Sequence, residues 1–191
     1  DTIYHEHLRY YTVLSIKHIF HNYGMRIIKL RKINTHGGSI RVYATKNKKY
    51  KIDKSVGKAL KEENKFFTKK NMRLFCDKVF KSKVDLLNKL EKIKKKDFKI
   101  FAVGAPSRAT TLVNYVGLSE SIINCICEVK GSHKINHYLP GTRIPIVSEQ
   151  EIFIKKPDYL LLLSWHISKE LIKNLKRKGY KGKFIIPLPR V

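Results

Sequence analysis

The chain has 191 residues, 42% of them apolar and 29% charged, with 41 Lys plus Arg against 15 Asp plus Glu for a formal net charge of +26. Together with 10 Tyr and 9 Phe, this is far too much buriable surface for a natively unfolded basic tail, and the length suits one or two domains with a real core. The apolar run Leu160 to Leu163 falls far short of the roughly 20 residues that cross a bilayer, so neither a membrane span nor a membrane partner is expected. Asp1, not Met, opens the chain inside sequence that already reads as structured, so an N-terminal portion is expected upstream.

In chain order, Thr12 is a helix N-cap, Ile16, Ile19, Phe20 and Tyr23 follow helical spacing, and Gly24 is the stop. Met25 to Ile33 reads as a strand, His36 to Gly38 as a turn and Ser39 to Ala44 as a second strand. Thr45 to Lys54 is a polar connector, followed by helices over Val56 to Phe67 and Asn71 to Lys96. From Phe98 the pattern alternates. Strands are expected at Lys99 to Gly104, Ile122 to Glu128, Ile144 to Val147, Pro157 to Trp165 and Lys183 to Ile186. Helices are expected at Thr110 to Tyr115, from a capping box at Ser148 to Glu151, and at Ser168 to Lys178. This βα alternation predicts an α/β fold with a doubly wound parallel sheet that binds ligands at the carboxyl ends of its strands.

A pI near 10.0 makes nucleic acid a partner to weigh, because Lys and Arg contacts to phosphate release counterions. Only nine of the basic residues are Arg, whose planar fork reads guanine, and the rest are Lys spread along the chain. Solvated lysine faces explain that pattern better than a reading head does. Of the three cysteines, Cys125 and Cys127 are expected on opposite faces of a strand. With Cys76 they make neither a disulfide framework nor a tetrahedral zinc site, which suits a reducing cytoplasm.

Three segments could carry chemistry. In Tyr4-His5-Glu6-His7 a His can take a proton, a Glu can orient it and a Tyr hydroxyl can bond a developing enolate oxygen; the segment also reads as a polar loop, and no metal is expected there. At a strand exit entering a helix, Gly104, Ala105, Pro106, Ser107, Arg108 and Thr111, with Asn114 further along, offer backbone N–H groups, hydroxyls and a guanidinium for a phosphate or pyrophosphate; a structural turn is the other reading. Lys134, Tyr138 and Trp165 are expected on the same sheet edge, where a phosphosugar or nucleobase could sit, although Trp165 suits a core equally.

Taken together, Tyr4-His5-Glu6-His7, His36-Gly37-Gly38-Ser39 with Arg41, Gly104-Ala105-Pro106, Tyr138-Leu139-Pro140-Gly141-Thr142 with Ile144-Pro145, Pro157-Asp158-Tyr159 and Phe184-Ile185-Ile186-Pro187 resemble the SAM-dependent C-methyltransferases of nucleotide-linked keto-deoxysugars. The resemblance runs in order over essentially the whole chain. It implies that residues 1–45 are the C-terminal portion of a SAM-binding Rossmann-type domain, 46–97 a connector with long helices, and 98–191 a Rossmann-like domain that helps bind the sugar nucleotide. It further implies Tyr4, Glu6 and His7 at the active site, SAM as cofactor held mostly by upstream sequence, and zinc only in an upstream module. The chain departs from the family at Glu128-Val129-Lys130-Gly131, where Asp-Arg-Asn-Pro is common, and at Arg108-Ala109, where Lys-Gly is common. A non-catalytic sugar-nucleotide binding module, with Tyr4, Glu6 and His7 dispensable, is the alternative, ahead of a nucleic-acid binder.

Overall fold

The computed structural model describes residues 3–34 and 38–188. They fall into two compact units: Ile3–Glu6 together with the residues from Lys78 onward, and His7–Asp77.

In the His7–Asp77 unit, Thr12 caps α1 (Val13–Asn22) through a reciprocal box with Ser15. The Glu63 carboxylate adds a second cap by accepting from the Val13 and Leu14 N–H groups at 2.5 and 3.0 Å, so an anion meets the positive end of the helix dipole. Two antiparallel strands, β1 (Arg26–Ile33) and β2 (Ser39–Thr45), form a ribbon with a register shift between Ile27 and Lys29. The Asp53 side chain accepts from Ser55 N–H and starts α2 (Lys54–Phe66) two residues earlier than apolar spacing suggests. The core of this unit is small: Val13, Ile27, Leu30 and Val56 are buried, with Ile16, Phe20 and Leu60 packed against them. The turn expected at His36 to Gly38 lies, for His36 and Gly37, outside the described residues.

Helix α3 (Lys69–Lys94) starts in this unit and belongs to the other from Lys78. There a sheet of five parallel strands has the order β5-β4-β3-β6-β7, formed by β3 (Ile100–Val103), β4 (Ile126–Glu128), β5 (Ile146–Ser148), β6 (Tyr159–Leu162) and β7 (Lys183–Ile185). Alternation along β3 and β6 distributes the two cores. Ile100, Ala102, Leu161 and Leu163 share one face with Leu86, Leu90 and Ile93 of α3 and with Ala109, Val113 and Val116 of α4 (Ser107–Val116). Phe101, Val103, Leu160 and Leu162 share the other face with Ile152 of α5 (Gln150–Lys155) and Leu175 of α6 (Ser168–Arg177). The four-leucine run is therefore apolar at every position because both faces of β6 are covered. Each fully buried Leu contributes on the order of 1.5–3 kcal/mol.

Four expectations need correction. Cys125 and Cys127 lie on the same face, as residues two apart in a strand must, and both thiols are buried in one core. Their mutual hydrogen bond, together with burial, pushes the Cys127 thiol far up, while the same bond lowers Cys125. The expected strand Pro157 to Trp165 ends at Leu162, and Trp165 stands in a short 3-10 turn, Trp165–Ile167. The strand expected from Ile122 begins only at Ile126, because Ile122 and Ile123 N–H bond back to Ser119 in a turn. No capping box forms at Ser148 to Glu151: the N-cap is Glu149, in helical conformation and without a side-chain cap bond.

Candidate functional site

Counted from β3, the strand order is 3-2-1-4-5, and the chain reverses direction across the sheet between β3 and β6. In open parallel sheets the crevice at that point, beyond the carboxyl ends of the strands, is where ligands bind. Gly104 leaves β3 with φ +83°, and a Cβ there would run into Ser164 Oγ beyond the end of β6. The two strand ends thus approach closely at the reversal, which only glycine allows. Gly117, in the left-handed conformation, closes α4 at its far end.

Around Gly104 the backbone is held by charged side chains. Ala105 N–H donates to Glu128 Oε2 at 2.7 Å from the end of β4, and Ala105 carbonyl accepts from Lys134 Nζ at 2.7 Å. Pro106, the N-cap of α4, has no N–H to give and makes no side-chain cap bond. Gly104 N–H donates to the Cys127 carbonyl at 2.9 Å, so three of the N–H positions expected to cradle a phosphate are engaged or absent, and the Ser107 and Arg108 N–H groups remain at the helix start. Ser107 Oγ donates to Glu6 Oε1 at 3.1 Å, so the Glu of the first motif reaches the first turn of α4 within the same unit.

Two buried donors have no partner on this edge. Trp165 is 7% exposed and its indole Nε1 is buried without a hydrogen bond; the same holds for Arg108 Nη1 in the first turn of α4. Buried donors of this kind cost about 1–3 kcal/mol each when left unmet. They are what an acceptor-rich ligand would satisfy.

The other expected residues separate. Thr111 lies in the second turn of α4. Asn114 Nδ2 donates to the carbonyls of Thr110 and Pro140 at 2.8 and 2.9 Å, tying the loop at Pro140-Gly141 to α4. Tyr138 pairs with Pro145 just before β5 and is 64% exposed. Both therefore stand toward the amino ends of the strands, whereas Lys134 lies with Ala105 at the carboxyl edge. In the first motif, the rings of Tyr4 and His5 meet edge-on at 6.2 Å, and His5 Nε2 is 3.8 Å from Glu6 Oε1. Tyr4 and Glu6 group with the sheet unit. His7, its ring edge-on to Tyr10 at 6.5 Å, groups with the other.

A cavity of about 590 Å³ opens at the opposite, amino edge of the sheet, walled by Phe98, Tyr159, Tyr180 and several lysines. Burial raises the Tyr180 hydroxyl above its ordinary value. Of the family-like segments only Pro157-Asp158-Tyr159 lines this cavity, none of the expected site residues does, and its size alone does not make it the site. Among the described residues no His, Cys, Asp and Glu come together as metal ligands, and no helix is long and apolar enough to cross a membrane.

Residues 34–189 match the family model of the C-methyltransferase C-terminal domain. The chain belongs to this family. It is also 30% identical over 193 residues to C-methyltransferase NovU of Streptomyces niveus, an alignment that takes in 99% of this chain and 46% of that protein. The chain thus spans about half the length of this curated relative. Within the C-methyltransferase C-terminal domain, the matched span contains the whole parallel sheet and its carboxyl edge, while Tyr4, Glu6 and His7 precede it. Glu128 was visible in the sequence only as a departure from the family pattern. An acid at the last position of a strand next to the reversal point was the signal that could have marked it.

Proposed function

We propose that the protein carrying this chain is a SAM-dependent C-methyltransferase acting on a nucleotide-linked keto-deoxysugar. Residues 1–45 would complete its SAM domain, and 98–191 would hold the substrate. Family membership supports the reading, and the observation that carries it is the pair of unmet buried donors, Trp165 Nε1 and Arg108 Nη1, on the carboxyl edge of the sheet. Gly104, Ala105, Pro106, Ser107, Arg108, Thr111 and Lys134 would form the substrate side of that edge.

A carbon next to a ketone becomes nucleophilic only after losing a proton. In the proposed reaction His7 takes that proton, the C–H electron pair becomes the enolate double bond, and the carbonyl π pair moves onto oxygen. Tyr4 donates a hydrogen bond to that oxygen and Glu6 orients the two, itself held by the Ser107 hydroxyl. The methyl donor is assigned to no residue of this chain. Among the described residues, the His7–Asp77 unit has no strand–glycine turn–helix to cradle an adenosyl group, only an antiparallel ribbon with helices.

The test separates proton removal from binding. In the full-length protein, His7→Asn is expected to abolish deuterium uptake from D2O at the carbon next to the ketone while leaving substrate binding within about threefold. Trp165→Phe, which keeps a ring but loses the Nε1 donor, should weaken binding about tenfold. Unchanged exchange in His7→Asn would sink the catalytic assignment and favour the non-catalytic binding module.

A further inference from the structure

We propose that the cavity at the amino edge of the sheet is a second binding site, for a small ligand that joins an aromatic ring to a phosphate or carboxylate. The inference goes beyond the methyl-transfer reading and does not rest on it. The cavity holds about 590 Å³, inside the range of about 300–1,000 Å³ usual for small-molecule pockets. It forms where three strands begin: Phe98 precedes β3, Pro157-Asp158-Tyr159 opens β6, and Gly179 to Lys183 leads into β7. The length of β6 separates it from Gly104 and Ser164, roughly 10 Å at about 3.3 Å per residue. A ligand here therefore occupies a different end of the sheet from the proposed substrate.

The wall calls for a ring. Phe98 and Tyr159 have their ring centroids 5.7 Å apart at an interplanar angle of 57°, and Phe98 is 37% exposed, so part of that aromatic surface is open to a ligand. Rings stack offset or meet edge to face, which favours an aromatic guest over an aliphatic one. Tyr180 closes the wall from the other side, its hydroxyl donating to the Lys183 carbonyl at 3.3 Å. Burial raises that hydroxyl, so Tyr180 adds no negative charge. Gly182 makes room for it, since a Cβ there would run into the Tyr180 ring and hydroxyl.

The charge calls for an anion. Four lysines line the cavity against one acid, Asp158, whose Oδ2 already accepts from Lys99 N–H at 2.8 Å. Two of the lysines are engaged: Lys178 pairs with Glu149, and Lys183 Nζ lies 5.7 Å from the Tyr159 ring centroid. Lys156 and Lys181 are bonded to no acid among the described residues. A cation suits the negative end of a helix, but Lys155 supplies it for α5 while pairing with Glu151. Lys156 stands one residue further on with φ +44°, a left-handed conformation in which glycine would end the helix with less strain. The unpaired ammonium groups at the mouth and the rings within thus ask for the two halves of one ligand.

Calorimetric titration of the full-length protein at about 0.15 M salt, where loose attraction to the +26 chain is screened, tests this with naphthyl phosphate and naphthoate. The controls are inorganic phosphate and acetate, which lack the ring, and naphthalene methanol, which lacks the charge. At least one aromatic anion is expected to bind with a single equivalent and at least about tenfold tighter than every control; the tighter of the two names the anionic group. Replacing both unpaired lysines, Lys156→Ala with Lys181→Ala, should weaken that binding about tenfold without moving the thermal melt, since both side chains are exposed. Trp165→Phe, at the other end of the sheet, should leave it within about twofold. Binding of neither aromatic anion overturns the site, as does equal binding of the uncharged ring. A loss in Trp165→Phe and not in the lysine variant overturns it too, and would place the anion on the carboxyl edge. None of these outcomes bears on proton removal by His7, which the deuterium exchange reads separately.

Discussion

The sheet unit and the His7–Asp77 unit solve the same problem with unequal means. In the first, both faces of five parallel strands are covered by helices, and two clusters of fully or nearly buried side chains run through the whole layer. In the second, a two-stranded ribbon, two helices and the start of α3 gather only four buried residues among those described, and Leu8, Tyr10, Tyr11, Leu14 and Tyr23 stay more than half exposed. A two-stranded ribbon alone is marginal in water, so this one depends on the helices packed against it. The smaller unit accordingly leans on polar devices at its helix ends, Thr12 with Ser15, Glu63 and Asp53, whereas the sheet unit relies on apolar burial and glycine geometry.

That contrast can be broken by experiment. The largest effect is expected from Leu161→Ala, which opens a cavity in a strand covered on both faces and should cost about 2–5 kcal/mol. Hydrogen exchange should show lost protection at Ile100 to Val103, while Ile27→Ala unprotects β1 alone. Comparable loss at β3 in both variants would mean that the two units unfold as one.

A smaller effect should follow from Thr12→Ala, which removes the reciprocal cap of α1 at about 0.5–2 kcal/mol. Glu63 still meets the first N–H groups, so the lower half of that range is expected in a chemical melt, and a loss above it would mean that the two caps act cooperatively.

The smallest is a pH effect. The Asp53 carboxyl lies below its ordinary value because the Ser55 hydroxyl and then the Ser55 N–H bond its charged form, with Lys29 and Lys54 adding weakly. A group depressed in the folded state stabilises fully above its unfolded value, near 3.9, and loses that contribution as pH falls through the lower folded value. Acid titration below about pH 4 should therefore loosen the start of α2, and Asp53→Asn, which can still cap, should flatten that part of the curve. An unchanged acid limb in the variant would remove Asp53 from the account.

Much of the fold was legible because periodicity is a strong signal where burial is strong. The alternation from Phe98 onward yielded all five strands of the parallel sheet, and Gly117 with Gly179 marked where α4 and α6 stop. Ends were less legible. Trp165 looked like the continuation of a strand because it is apolar, yet the chain turns after Leu162, and only the close approach of Gly104 to Ser164 reveals why. At the candidate site, local sequence marked Gly104 to Thr111 correctly as a strand exit into a helix. It did not show that Glu128, more than 20 residues later, takes the Ala105 N–H, nor that Asn114 and Tyr138 belong to the far end of the sheet. Such pairings are set by strand order, which no window along the chain contains.

The acids of this chain have an unusual occupation. With only 15 of them against 41 cations, ion pairing would be their obvious use, yet Glu63, Glu128, Asp53 and Asp158 each hold main-chain N–H groups. Among the described residues only three lysines close a salt bridge, with Glu62, Glu151 and Glu149. Tolerance to change is therefore lopsided. Most lysines can drift to other polar residues with little consequence for the fold, since water already solvates them. Those four carboxylates act as brackets on the backbone, and a substitution there would be felt in the path of the chain itself.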